Sequence, residues 1–415
     1  MLASPGSLGT LPSMTTVADP TVESEEALVI EHIDKLLAEH PPAKTDAVAF
    51  LGAQFDHGLA WVHFPEGNGG LGVNPKHQKI INERIFAAGG PNPYYRNPIG
   101  YGMCGPTVVV WGSDEQKERY LRPLFTGEEV WCQLFSEPGS GSDFAGLSGR
   151  GVRDGDEWIV NGQKVWTTLA HVSRWGLLVF RTDTEVPKHA GLTAWVVDMQ
   201  APGVEVRPLR QITGEAEFNE VYFTDVRIPD AERLGDPGAG WRVSLTTLMN
   251  ERVSIGGAIA PKGAGAIAGA VKVWQDTPPD QRDPAMKDEL MKLWIEAEVN
   301  RLTNLRAGAN RKMGTPGPEG STGKLAFAES NKRIYEFTMN LMGANGMLYG
   351  SYEMRRPETA MSTDTLQKAF LRSRANSIEG GTSEVMRNIL GERVLGLPGD
   401  VRVDKDVAWS TVPRN

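Results

Sequence analysis

Apolar positions spaced three and four apart mark both ends of the chain, and runs of β-forming residues mark its middle. From Glu25 to His40, Val29, Ile33, Leu36 and Leu37 fall on one face and Pro41-Pro42 follows, which predicts an amphipathic helix. Residues 58–72 carry many glycines and read as a loop. Helical patterns return at about 77–88 and again from Ser113 to Leu121, with Ser113 or Asp114 as cap. Beyond Glu129 the texture changes. Glu157 to Thr168 reads as a hairpin turning at Asn161-Gly162, and strand-like runs follow at Arg174–Arg181, Leu192–Met199, Val204–Leu209 and Glu217–Ile228. Short strands with no helices between them predict an antiparallel barrel or sandwich.

Helical spacing resumes at Trp241. Asp283-Pro284 places a cap and a first-turn proline ahead of Met286, Leu290, Leu293 and Ala297 on one face, and Leu302 and Leu305 continue the helix. Met313–Gly323 reads as a flexible connector, and Lys324–Met342, about 362–376 and 382–395 complete an antiparallel helix bundle. The last helix follows Gly380-Gly381-Thr382, where Thr382 can cap and Val385, Met386, Ile389 and Leu390 share a face. The expected fold class is therefore α+β and multidomain. It comprises a disordered tail over 1–24, a helical domain over 25–128, a β-domain over 129–235, a helical bundle over 236–398 and a polar tail over 399–415.

Composition narrows the function. A chain of 415 residues suits two or three domains of about 100–200 residues each. A net charge of −9 without basic runs argues against nucleic acid. No apolar run approaches the about 18 residues of a membrane span, so membrane insertion is not expected. The first twenty residues contain neither Lys nor Arg, which fits neither a secretory signal nor a mitochondrial presequence, and Met14 is an alternative start. A cytoplasmic location is expected. Two cysteines, Cys104 and Cys132, exclude a disulfide framework, and the seven histidines form no HExxH or HxxxH pair, so no metal is expected.

Several motifs fail. Gly139-Ser140-Gly141-Ser142-Asp143-Phe144 starts like a dinucleotide fingerprint but has Phe144 in place of the third glycine and no βαβ frame. Gly323-Lys324 ends like a phosphate-binding loop but has Pro318 and Leu325 at the other required positions. What remains is Leu134 to Asp143, a polar glycine-rich loop whose hydroxyls at Ser136, Ser140 and Ser142 can bond a planar heterocycle or a phosphate, or simply turn at the surface. The Gly380-Gly381-Thr382 helix start likewise suits either an anionic ligand or a plain capped turn.

Over residues 25–398 the chain resembles the acyl-CoA dehydrogenases. The resemblance is carried by Trp61 to Gly72, Gly112 to Lys117, Ser136 to Asp143, Asn161 to Thr168, Phe223 to Pro229 and Ser377 to Arg393, in that order. It implies a helical N-terminal domain, a central β-domain and a C-terminal four-helix bundle, assembled as a homotetramer or with a paralogue. It implies FAD as cofactor, an acyl-CoA substrate and an electron-transfer flavoprotein as electron acceptor. The implied reaction is removal of the α-proton by a carboxylate while the β-hydride passes to flavin N5, giving a trans-2-enoyl-CoA in lipid β-oxidation. By motif position the flavin contacts are Phe135, Ser136, Gly141, Ser142, Trp166, Thr167, Thr168, Gly343, Gly346, Gly381, Thr382 and Glu384. Ser142, Asn250, Arg252 and Gly380 would face the substrate.

The base is the point of departure. Many members carry Glu directly before the Gly-Thr of the last motif, where this chain has Gly380. Others place Glu before Arg on the first helix of the C-terminal domain, matched here by Glu251-Arg252. Glu251 is the expected base, with Glu379 as runner-up. The family's Arg-x-x-Phe-Gly segment, which helps hold a neighbour's FAD, is replaced by Val271 to Arg282 without that motif. A structural or half-site subunit and a flavin oxidase or monooxygenase are the alternatives.

Overall fold

A computed structural model describes residues 20–256, 261–312, 319–359 and 364–413, with the side chains of 20–23, 252–256, 310–312 and 319–320 left out. The chain divides into two compact units, residues 1–91 and 92–415.

In the first unit α1 (Pro20–Glu39), α2 (Ala47–Asp56) and α3 (Gln78–Ala87) enclose Val29, Ile33, Leu36, Phe50, Leu59, Val62, Ile81 and Ile85. The stripe on α1 predicts this core, and the helix begins at Pro20, inside the expected tail. Asp46 caps α2 by accepting from the backbone N–H groups of Val48 and Ala49. The 58–72 loop folds on itself, with Leu71 N donating to Val62 O at 3.0 Å.

The second unit opens with α4 (Pro93–Arg96), a π-turn over Gly100–Cys104, α5 (Gly105–Trp111) and α6 (Asp114–Thr126). Of the two expected caps it is Ser113 that caps α6, in a reciprocal box with Gln116. The strands are β1 (Trp131–Leu134), β2 (Arg150–Asp154), β3 (Glu157–Thr168), β4 (Trp175–Arg181), β5 (Leu192–Asp198), β6 (Val204–Pro208), β7 (Phe218–Pro229) and β8 (Arg233–Leu234). They form one eight-stranded sheet in the order β6-β7-β3-β2-β4-β5-β8, with β1 beside β4. The pairing is antiparallel except for β1–β4 and a single β2–β4 residue pair.

The hairpin expected at Asn161-Gly162 does not form. β3 runs straight through these residues and pairs with β7, with a register shift between Val160 and Gly162. The two-residue turn lies at Gly155-Asp156, between Asp154 and Glu157, with Gly155 at φ 65°. Asn161 instead bonds Asp225, donating to its carboxylate and accepting from its N–H. Glycine at 162 answers to packing, because a β-carbon there would stand 2.9 Å from both Gly149 Cα and the Phe180 ring.

Then come α7 (Gly240–Gly256), α8 (Ala266–Asp276), α9 (Pro284–Lys312), α10 (Glu319–Met342), α11 (Leu366–Ser373) and α12 (Ser383–Arg393). α10 packs against α7, α8, α9, α11 and α12. Ile267 and Ala270 of α8, Leu290 and Leu293 of α9, and Ile334 and Phe337 of α10 make the bundle core. Of the expected connector, residues 313–318 lie outside the described residues, and 319–323 are already helix α10. The helix continues through Leu302 and Leu305, as expected, but these two lie off its buried face. With Met291, Ile295 and Val299 they form an exposed apolar stripe along α9.

The C-terminal segment is no free tail. Trp409 is buried over the Arg181 guanidinium at 4.1 Å, and Trp409 N and Ser410 N donate to Val186 O and Thr184 O. Lys188 joins Asp404 of this segment to Asp143.

Candidate active site

The 134–143 loop leaves β1 and is fastened to β3 from beneath. Lys164, fully buried, donates to Phe135 O and to Glu137 Oε1, both at 2.9 Å. Glu137 also accepts from Ser148 N at 2.6 Å and Gly149 N at 3.1 Å. Burial pulls the Lys164 ammonium down to about 8, against the opposing pull of Glu137. Ser136 O accepts from Val165 N at 2.9 Å, which sets Phe135 and Ser136 beside the Trp166–Thr168 end of β3. Both members of the ion pair lie inside resembling segments, yet neither was singled out, because a Lys in a strand carries no mark of burial.

The aromatic and glycine residues here combine packed rings with open backbone. Phe135 stacks on Phe144 at 4.9 Å, and Phe144 on Trp241 at 6.2 Å. Trp166 adopts φ 60° and is exposed, a left-handed conformation that costs a bulky residue about 1–2 kcal/mol. Its ring meets that of Phe218 edge-on at 5.8 Å. Thr167 is turned inward, its carbonyl held by Asn219 and its buried hydroxyl without a partner among the described residues. Gly141 and Ser142 are exposed, and nothing stands within 4 Å of a β-carbon built on Gly139 or Gly141, so bare backbone is open to a ligand. An exposed strained tryptophan and open glycine backbone on adjoining segments fit the edge and face of a flavin ring. A cavity of about 440 Å³ beneath Pro138 and Gly139 is lined by Ser148, Arg150, Asn161 and Gln163, but by none of Ser142, Trp166, Thr168 or Glu251.

A second cluster surrounds the last glycine pair. Gly380 and Gly381 both have positive φ, 62° and 93°, and Thr382 caps α12 by accepting from Val385 N at 3.1 Å. A β-carbon on Gly380 would meet Glu251 Oε1 at 3.6 Å and Lys324 Cε at 4.0 Å. Glu379 points elsewhere. It accepts from Arg372 Nη2 at 2.7 Å and Asn376 Nδ2 at 2.8 Å. Arg372 lies 3.6 Å from Glu217 and 5.7 Å from the Phe218 ring, which packs on Trp166, so the two clusters are joined through Phe218.

The other expected site residues divide. Glu384 is exposed and pairs with Arg387, while Asn250 turns back to donate to Thr246 O of its own helix. Gly343 is exposed at φ 56°, and Gly346 lies so close to Met339 O that a β-carbon would stand at 2.6 Å. The Arg252 side chain lies outside the described residues. The sequence assigns Lys324, Arg372 and Glu217 no part in the site, since only contacts between distant segments bring them to the glycine loop. In the first unit Glu39, His40 and His57 bring donor atoms within 4.8 Å of one another, with His57 Nε2 3.4 Å from Glu39 Oε2.

Three family models match in order. They are the acyl-CoA dehydrogenase N-terminal domain over residues 22–128, the middle domain over 132–226 and the C-terminal domain over 238–395. The chain is 36% identical over 347 residues to acyl-CoA dehydrogenase IpdE1 of Mycobacterium tuberculosis, covering 83% of this chain and 86% of that protein. It is 37% identical over 344 residues to acyl-CoA dehydrogenase FadE34 of the same organism, covering 83% of this chain but 45% of that longer protein. Among solved structures, the ChsE4-ChsE5 complex from Mycobacterium tuberculosis superposes with a TM-score of 0.66 at 26% identity, over 93% of this chain and all of the matched one. With the fold, the loop fastened to β3 and three successive domain matches in agreement, the chain belongs to the acyl-CoA dehydrogenase family of oxidoreductases.

Proposed function

We propose that the chain is an FAD-dependent acyl-CoA dehydrogenase in which Glu251 removes the α-proton of a CoA thioester. The product is a trans-2-enoyl-CoA, and the electrons go on to an electron-transfer flavoprotein. The observation that carries this reading is the position of Glu251 Oε1, 3.6 Å from where a side chain on Gly380 would begin. A carboxylate thus reaches the place that Gly380 leaves bare. Glu379, held by Arg372 and Asn376, is committed to the loop.

Phe135, Ser136, Trp166 and Thr168 would hold the flavin ring, with Gly141 and Ser142 offering backbone and hydroxyl beside it. FAD, when bound, supplies the acceptor for the β-hydride. Glu251 takes the α-proton, the electron pair of the broken α C–H bond becomes the new double bond, and the hydrogen at the β-carbon departs with its own pair.

Two observations favour assembly with a paralogue over a homotetramer. The Val271 to Arg282 stretch lacks the Arg-x-x-Phe-Gly segment, and the ChsE4-ChsE5 relative is a complex of two different chains. The exposed stripe on α9 is a surface that assembly would cover.

The test is anaerobic. The purified protein is mixed with butyryl-, isovaleryl-, octanoyl-, palmitoyl- and choloyl-CoA, and the flavin absorbance is followed. Bleaching by at least one thioester, abolished in Glu251→Gln and kept in Glu379→Gln, is expected. Full activity in Glu251→Gln overturns the assignment of the base. A colourless chain that acquires no flavin makes it a structural subunit, and rapid peroxide formation in air makes it an oxidase.

A further inference from the structure

We propose that Lys324 is the positioning residue of the proton-abstracting site, clasping the loop that carries Gly380 and Gly381 and presenting its ammonium to Glu251. The inference rests on the reading of Glu251 as the base.

The clasp is direct. From α10, Lys324 Nζ donates to Asn376 O at 2.8 Å and to Gly381 O at 2.6 Å, at the two ends of the glycine turn. Both acceptors are backbone carbonyls, so the grip depends on loop shape rather than on loop side chains. Glycines at φ 62° and 93° hold that shape only while something fixes it, because glycine has the widest choice of alternatives.

The charge is the second half. Four carboxylates act on Lys324: Glu379, Glu329, Glu384 and Glu251. The first three also hold other groups. Glu379 holds Arg372 and Asn376, Glu329 holds Ser383, Ser377 and Lys332, and Glu384 holds Arg387. Glu251 shares the Gly380 corner with Lys324, Oε1 of the one and Cε of the other lying 3.6 Å and 4.0 Å from the same point. Burial pulls the Lys324 ammonium down, and the carboxylates pull it back up. A cation beside the base keeps it ionised and ready to accept a proton, and a clasped loop keeps the thioester's α-carbon within its reach.

The experiment uses the full flavin-loaded protein in its purified oligomer. The substrate is whichever of the five thioesters above the wild type turns over fastest. The acid limb of kcat is compared in wild type, Lys324→Met, Lys324→Gln and Lys324→Arg, and hydrogen exchange is followed over residues 374–387. Removing the cation should move the acid limb upward by about one pH unit, a tenfold change in proton dissociation. Lys324→Gln, which keeps a donor for the carbonyls, should shift the limb as Lys324→Met does, with less acceleration of exchange. Lys324→Arg should restore the limb. An acid limb unmoved in both neutral variants overturns the proposal, whatever the exchange rates. If Glu251→Gln is inactive while that limb stays in place, Lys324 falls alone. If Glu251→Gln is fully active, the reading of the base falls with it.

Discussion

Gly380 and Glu251 share one corner of the structure: a β-carbon added to the glycine would stand 3.6 Å from Oε1 of the glutamate. Two residues far apart in the chain therefore meet at one point, where the first has no side chain and the second brings a carboxylate.

Exchanging their roles tests this. Glu251→Gln should lower kcat by about 10²–10⁴-fold, the usual worth of a general base. Adding Gly380→Glu should recover at least about tenfold of that loss, although a glutamate at φ 62° costs about 1–2 kcal/mol of stability. Anaerobic flavin reduction reads both variants. A folded, flavin-loaded double variant no faster than Glu251→Gln would show that the two positions are not interchangeable.

The Lys164–Glu137 pair predicts a pH dependence with a definite sign. Lys164 sits at about 8 in the folded protein against an ordinary 10.5, so between those values the unfolded chain binds more protons. Its contribution to stability is highest above about 10.5 and falls as pH drops towards 8, by at most about 1.4 kcal/mol per unit. Below that both states are protonated and the slope ends. Urea unfolding from pH 7.5 to 10.5 should show the slope in wild type and lose it in Lys164→Met. At pH 7 that variant should also be weaker by about 3–5 kcal/mol, because Glu137 is left buried without its cation. Adding Glu137→Gln should return part of the loss.

Trp166 predicts a separation of stability from cofactor binding. Glycine relieves the left-handed backbone by about 1–2 kcal/mol, while loss of the Phe218 contact costs about 0.5–1.5 kcal/mol. Trp166→Gly should therefore unfold near the wild-type temperature but lose flavin during gel filtration. Unchanged flavin retention would remove Trp166 from the flavin site.

The C-terminal segment behaves as part of the fold. Trp409→Ala should cost about 3–5 kcal/mol, since it empties a buried aromatic site and uncovers Arg181. Thermal melting of the full chain measures this, and a shift below about 2 °C would mean the segment merely rests on the sheet.

The architecture was legible wherever one periodicity held for several turns or strands. The α1 stripe, the Ser113 box, the Asp283-Pro284 start and the Thr382 cap are local events, decided by residues three or four apart, and they form as their spacing predicts. The order of helices, then strands, then helices follows from the same local signals. Asn161-Gly162 is the instructive miss. As a dipeptide it favours a tight turn, but Asp225 captures the asparagine side chain and Gly149 and Phe180 close on the glycine. The turn moved to Gly155-Asp156, because a long strand that pairs on both sides outweighs a dipeptide preference.

The active site divides along the same physical line. The sequence alone determined that the usual base position is a glycine, that Glu251 and Glu379 are the candidates to replace it, and which loop could meet a flavin. Those are matters of residue identity at aligned positions. Only the tertiary structure decided between the two glutamates' surroundings, tying Glu379 to Arg372 and bringing Glu251 to Gly380. It alone put Lys164 under the loop and Lys324 behind the glycines. Burial and charge proximity come from contacts between segments distant in the chain, and no local pattern encodes such contacts.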